Sequence, residues 1–360
     1  MAAMTMRERM IAVIKGLEHD RVPFAQYSSA VAPNEEVWSL LGRENMGVIR
    51  WTSVHRKESP NCSMENHEVE KDGLRGYHSV LHTPVGELTQ EVLLDPVFGT
   101  GSIRKHFVSE PKDYEAFIAY LSDTRVVKDT TGFLQAQDCL GDDGILLVSV
   151  DRTPYQQLWV QWVCIEDLSM HFVDCPDIVE ECVSLLTGIQ RKIHRIIREA
   201  ADEVPIQLVD VPDNITAPVI GPRNFEKYCV PFYNELADIL TDKDIPVFVH
   251  MDGDLKPLWK AIGESKVGGI DSLSPPPDND TSVADVIAMW PEMRVFVNFP
   301  SSVHLAEPEV VYEHAMRILN EGGRQGRLQI QISENVPPSV WRKSLPAIAK
   351  AIEDFGPAVG

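Results

Sequence analysis

No run of about 18 apolar residues occurs in this chain, so no segment is expected to cross a bilayer as a helix. Met1 to Met10 carries two arginines and a glutamate in place of an apolar core and cleavage site, so no signal peptide is expected. Cysteine is sparse. The six, Cys62, Cys139, Cys164, Cys175, Cys182 and Cys229, form no CxxC pair. Scattered in this way, they predict reduced, mostly buried thiols and a cytoplasmic protein. Basic residues are outnumbered, 33 against 54 acidic, for a net charge of −21. Such a surface repels phosphate backbones and anionic lipid, so neither nucleic acid nor a membrane is an expected partner. A small anion held by a local positive group stays open.

Several catalytic signatures are also missing. There is no GxSxG elbow, no HExxH and no Walker-type loop, so serine-hydrolase, zincin and nucleoside-triphosphatase readings have no anchor. No GxGxxG follows a first strand, which weakens a dinucleotide-binding sheet. There is no internal repeat or low-complexity tract. The composition, 44% hydrophobic and 24% charged, is that of a globular chain and excludes disorder.

What is present is alternation. Short apolar runs at Ile145 to Val150, Ile206 to Val209, Pro246 to Val249, Val267 to Ile270, Val295 to Val297 and Leu328 to Ile332 read as buried strands. Helical stretches separate them: Tyr155 to Phe172, Pro176 to Ala201, Asn224 to Leu240, Leu255 to Gly263, Ser282 to Met289, Pro308 to Asn320 and Pro338 to Phe355. Two weaker strands, Val22 to Tyr27 and Gly47 to Trp51, precede them around a helix at Glu35 to Leu41. Eight strands alternating with helices predict an α/β protein, a (β/α)₈ TIM barrel, with an open doubly wound sheet as the structural alternative. The expectation is a single domain over residues 1–360. Thr52 to Glu110 breaks the alternation and reads as a β-hairpin insertion capping the C-terminal mouth.

Barrel enzymes work at the C-terminal ends of their strands. The polar residues there are Tyr27; Asp151 and Arg152; Asp210, Asp213 and Asn214; His250 and Asp252; Asp271; Asn298; and Glu334. His250 and Asp252 are two apart, so on an extended backbone they share a side. An imidazole and a carboxylate aimed together can hold a metal or relay a proton. Equally, Asp252 or Asp254 can be a helix N-cap to which the histidine bonds. Gly253 is expected to let the chain turn sharply. Glu334 closes the last strand as a third ligand, a base, or a carboxylate favoured by a helix N-terminus. Asp213 and Asn214 suit a substrate or a simple Asx turn. Arg152 suits an anionic substrate or an ion pair with a neighbouring acid. Asn298 and Tyr27 are further substrate-binding candidates.

The landmarks, in order, are His82-Thr83-Pro84-Val85-Gly86, Arg152-Thr153-Pro154, Phe172-Val173-Asp174-Cys175-Pro176 and Asp213-Asn214-Ile215-Thr216. Then come Phe225-Glu226-Lys227-Tyr228 with Pro231-Phe232-Tyr233, His250-Met251-Asp252-Gly253-Asp254, and Glu334-Asn335-Val336-Pro337. Over nearly its whole length the chain resembles the uroporphyrinogen decarboxylase superfamily, which includes cobalamin-linked methyltransferases. The resemblance implies a distorted (β/α)₈ barrel. True uroporphyrinogen decarboxylases carry an Arg-Gln-Ala-Gly-Arg stretch for the substrate's carboxylates, whereas Ala25-Gln26-Tyr27-Ser28-Ser29-Ala30 has no arginine. The thiol-directed methyltransferases hold zinc with a His-x-Cys pair and a later Cys, and the matching positions here are His250, Asp252 and Glu334.

One imidazole with two carboxylates is a harder ligand set than thiolates and suits an oxygen-linked methyl donor. The expected function is therefore methyl transfer from a small methylated compound to cobalamin. Because the chain has no Asp-x-His-x-x-Gly signature, the cobalamin is expected on a separate corrinoid protein. His250, Asp252 and Asp213 are the expected catalytic residues. Arg152, Asn214, Asn298 and Tyr27 are the expected substrate contacts, and His250, Asp252 and Glu334 the ligands of a divalent ion, zinc by preference. In a metal-free version, His250 and Asp252 form an acid–base pair. The alternatives are decarboxylation of a small carboxylate and a non-catalytic binding barrel.

Overall fold

The structure is a computed structural model that describes residues 3–358. It divides into two compact units. The first comprises Met1–Val54, Thr130–Val150 and Arg198–Gly360; the second comprises His55–Asp129 and Asp151–Ile197. All but the first three residues of the expected insertion fall in the second.

The first unit is a closed parallel barrel. Its strands are β1 (Phe24–Tyr27), β2 (Gly47–Thr52), β3 (Gly144–Ser149), β4 (Val209–Val211), β5 (Val247–His250), β6 (Gly269–Leu273), β7 (Arg294–Asn298) and β8 (Leu328–Ile332). Each pairs with the next in sequence, and β8 returns to β1 through Phe24–Ile330. The open-sheet alternative is thereby excluded. β4 begins three residues later than the Ile206 to Val209 expected, because the Ile206 N–H is taken up by Val204 O (2.9 Å) in a local turn.

Side chains inside the barrel follow the two-residue period of a strand. Ala25, Ile49, Ile145, Leu147, Phe248 and Phe296 share one buried cluster. Gly269 on β6 makes room for the Phe248 ring, since a Cβ there would lie 2.4 Å from it. Two residues beyond these core positions, the same inward face turns polar: Tyr27 follows Ala25, His250 follows Phe248, Asp271 follows Gly269 and Asn298 follows Phe296. One end of the barrel is therefore apolar and the other polar.

The apolar end is covered by α1 (Met6–Lys15), begun by a reciprocal Thr5–Glu8 capping box. Its Met6, Met10, Val13 and Ile14 join the barrel cluster, and Met6 packs on Gly47 at the start of β2. The Ile14 carbonyl accepts from Arg294 at the start of β7 (2.9 Å). Chemistry is left to the opposite, C-terminal mouth.

The second unit contains a four-stranded antiparallel sheet, Ser63–Lys71, Leu74–Thr83, Gly86–Leu94 and Gly101–Lys105. A two-stranded ribbon pairs His55–Glu58 with Arg125–Lys128. The expected helix from Tyr155 to Phe172 is broken. Pro154–Gln157 passes into a wide turn at Leu158–Trp162, then Ile165–Asp174 begins afresh. Trp162 sits among Phe107, Phe117 and Tyr120, with ring centroids 4.6–5.4 Å away, which holds the break in place.

The cysteines need a correction. All six are free, but only Cys182 and Cys229 are buried, and Cys139 is exposed. Among the described residues no helix is long and apolar enough to cross a membrane.

Candidate functional site

Three ligand-type side chains meet at the polar mouth. One donor atom from each of His250, Asp252 and Glu334 lies within 4.8 Å of the others. β5 ends on His250, Asp252 follows two residues later, and Glu334 stands two residues past β8. His250 Nε2 is 3.6 Å from Asp252 Oδ2. A tetrahedral ion with bonds of about 2.0–2.2 Å spaces its ligands roughly 3–4 Å apart, so small side-chain movements close this set around one ion.

The helix-cap alternative for Asp252 does not hold. The backbone N–H of Leu255 (2.8 Å), with that of Lys256, goes to Asp280, and Asp254 accepts from Asp280 N (3.0 Å). The capping work thus falls to Asp280 and leaves the Asp252 carboxylate to face His250. Asp252 is steadied by Asn214 Nδ2 (3.1 Å), and its carbonyl accepts from Asn279 (2.6 Å). Glu334 is likewise not in the first turn of a helix, because Trp341–Phe355 begins seven residues later.

The chain bends at Gly253, as expected. It has no positive φ, and its importance is close approach: a Cβ would lie 2.3–2.9 Å from the side chain and Cα of Thr216. Its N–H donates to Ile215 O (3.1 Å), joining the loops after β4 and β5. Asn214 itself takes the left-handed conformation (φ 52°), which asparagine tolerates better than most residues.

Behind His250 lies a second layer. Asp271 is the cross-strand partner of His250 in the β5–β6 register, so their side chains emerge together. His250 Nδ1 is 2.9 Å from Asp271 Oδ2. The Tyr27 hydroxyl also donates to Asp271 Oδ2 and lies 3.2 Å from His250 Nδ1. Gln331 Nε2 donates to Asp271 Oδ1 (2.8 Å). Tyr27, expected at the substrate, thus serves the carboxylate behind the histidine.

The charges follow from these contacts. Burial opposes a proton on His250, but the Asp252 and Asp271 carboxylates on either side of the ring outweigh it and hold its pKa well above the ordinary value. Burial would raise Asp252; the His250 charge and the hydrogen bond from Asn214 prevail and lower it. Glu334 is raised, first by burial and then by the nearby Asp252 charge. Burial and Asp271 together keep the Tyr27 phenol protonated, well above its usual pKa. The cluster carries more acidic groups than its one imidazole can balance, which is the charge pattern of a cation site.

The remaining candidates have other settings. Asp213 is fully buried, and its carboxylate accepts the Tyr233 hydroxyl from helix Val230–Leu240. The Asn298 amide accepts from Ser333 N (3.0 Å) and donates to Ser274 Oγ (3.2 Å), so it holds the backbone that carries Glu334. Arg152 belongs to the second unit, where its carbonyl accepts from Gln157 (2.8 Å) and Gln190 (2.6 Å). Sequence reasoning gave Asp271 no role and missed Gln331 and Asn279. Only Gln331 left a signal. In Leu328-Gln329-Ile330-Gln331-Ile332 every second residue is a glutamine, and both glutamines are fully buried.

Comparison with known proteins agrees with this architecture. The family description "Uroporphyrinogen decarboxylase (URO-D)" matches residues 164–355, more than half of the chain. The chain belongs to the URO-D family. A uroporphyrinogen decarboxylase of Trichlorobacter lovleyi is 30% identical over 125 residues, and that match covers 34% of this URO-D chain and 34% of the relative. A methyltransferase from Methanosarcina mazei superposes with a TM-score of 0.58 at 12% identity, over 98% of this chain and 99% of its own. At that identity the likeness is one of fold.

Proposed function

We propose that this URO-D family member is a methyltransferase-like enzyme. It takes a methyl group from a small, oxygen-linked methyl donor and passes it to the cobalt of a corrinoid carried by a separate protein. One divalent ion, zinc by preference, is held by His250 Nε2 and the carboxylates of Asp252 and Glu334. The observation that carries this reading is the meeting of those three donors within 4.8 Å at the polar mouth. One nitrogen and two oxygens fit a zinc site that keeps a position open for substrate.

When bound, the ion would polarise the donor's ether oxygen as a Lewis acid. The chain's residues supply the setting. Asn214 and Asn279 fix the Asp252 loop, and Asn298 fixes the strand end before Glu334. The corrinoid would supply cobalt(I), whose electron pair would form the new bond to the methyl carbon as the carbon–oxygen bond breaks, while the oxygen would keep that bond's pair and take up a proton from solvent. Porphyrinogen chemistry has less support, because Ala25 to Ala30 offers no cation and Gln26 is occupied by Asn34 (2.9 Å) and Val31 N (3.2 Å).

The test uses metal-loaded protein, reduced cobalamin and a panel of small methoxylated compounds. Formation of methylcobalamin with the matching demethylated product is expected. Carbon dioxide release from a carboxylate panel without methylcobalamin would move the assignment to a decarboxylase. Ligand binding without turnover in either panel would make it a binding barrel.

A further inference from the structure

The inward face of a barrel is ordinarily filled by branched apolar side chains. Here it carries Asp271, with no exposed surface, and Gln331, equally buried. A buried carboxylate is costly unless it is charge-paired and hydrogen-bonded. Asp271 receives donors from three different strands: the Tyr27 hydroxyl on β1, Gln331 Nε2 on β8, and His250 Nδ1 on β5. Its two oxygens divide the work. Oδ1 takes the glutamine, while Oδ2 takes the phenol and the imidazole.

We infer that Asp271, secured by Tyr27 and Gln331, is a positioning residue that orients the His250 ring so that Nε2 serves the ligand cluster with Asp252 and Glu334. This rests on the metal reading above and deepens it. An imidazole that gives Nδ1–H to a carboxylate has only Nε2 left for an ion. A fixed ring also keeps that nitrogen aimed, and the carboxylate raises its basicity. The backbone is shaped to the same end. Ser272 takes a left-handed φ of 62° and the β6–β7 register shifts between Ile270 and Leu273. A non-glycine residue in that region is strained. Ser272 Oγ then donates to Ser333 Oγ (2.8 Å), next to Glu334. The carboxylate behind the histidine and the strand end bearing the glutamate are thereby tied together.

The test is zinc affinity, measured by competition with a chromophoric chelator, together with the visible spectrum of the cobalt(II)-substituted protein. Asp271→Asn keeps an acceptor for Nδ1–H but loses the charge, and should bind zinc about 10–100-fold more weakly than the parent. Asp271→Leu should be weaker still, and the cobalt spectra of both should shift. Tyr27→Phe removes one donor from Asp271 and should weaken zinc in the same direction by less. It serves as the readout should the Asp271 variants fail to fold. Parental affinity and an unchanged cobalt spectrum in Asp271→Asn, or in Tyr27→Phe if only that variant folds, would overturn the inference and leave the metal site standing. If the parent itself binds no ion better than His250→Ala does, the metal reading fails and this inference fails with it.

Discussion

His250 and Asp271 stand side by side across the β5–β6 pairing, with Nδ1 2.9 Å from a carboxylate oxygen that has no exposure to solvent. The pair sits one strand period above the aromatic core, since His250 follows Phe248 on the inward face. Stability and chemistry therefore meet at this residue, and its substitution touches both.

His250→Ala should remove metal binding and turnover while the barrel stays folded. It also leaves Asp271 without one donor, at a cost of about 1–3 kcal/mol for an under-satisfied buried group. Zinc titration and urea unfolding separate the two effects. Retained zinc and retained turnover would refute the ligand assignment. Lost turnover in a protein whose parent holds no metal would instead favour the acid–base pair.

Gly253→Ala should weaken the site without removing a ligand. The new Cβ would meet Thr216, including its Cα, so the loops after β4 and β5 must separate. Overpacking of this kind costs about 1–3 kcal/mol. Because Asp252 precedes Gly253 and bonds to Asn214, zinc affinity should fall in parallel. A stable variant with parental affinity would show that the close approach is immaterial.

Burial pushes the His304 pKa down to about 4, against an ordinary 6.5. The unfolded chain therefore binds this proton first as pH falls. Stability is fully present above 6.5 and is lost progressively down to about 4. Between pH 7 and 5 the loss due to this residue should be about 2 kcal/mol. His304→Gln should flatten that part of the slope, because Ser344, 2.8 Å from Nδ1, still has a partner. Other buried histidines contribute in both proteins, so parent and variant are compared by denaturant titration at both pH values. An unchanged slope would show that His304 does not carry the effect.

Arg152→Ala is expected to raise KM for an anionic substrate more than it lowers the melting temperature. The substitution leaves in place the backbone carbonyl that accepts from Gln157 and Gln190. A charge-assisted contact is about 1.5–3 kcal/mol, or roughly 10–150-fold in KM. If the melting temperature falls and KM does not move, the guanidinium is structural.

The barrel was legible because strand period, helix boundaries and turn residues agreed along the chain. The eight strands fall within about three residues of their expected positions. Helix α1 was missed although Met6, Met10, Val13 and Ile14 recur at helical spacing behind the Thr5–Glu8 cap. The trio His250, Asp252 and Glu334 was legible from strand ends and family resemblance. The role of Asp271 was not, because its partnership with His250 depends on the register of β5 against β6, which no local pattern encodes. The capping role of Asp280 was hidden for the same reason, since its partners Leu255 and Lys256 lie 24–25 residues away. The bend at Gly253 was legible, but its close approach to Thr216 was not, because Thr216 belongs to another loop.

The most direct test of the central claim is elemental analysis of the full chain purified without chelator, alongside His250→Ala prepared in the same way. One divalent ion per parent chain, zinc by preference, is expected, and none in the variant. A parent free of stoichiometric metal, or a variant that retains it, would contradict the assignment of His250, Asp252 and Glu334 as its ligands.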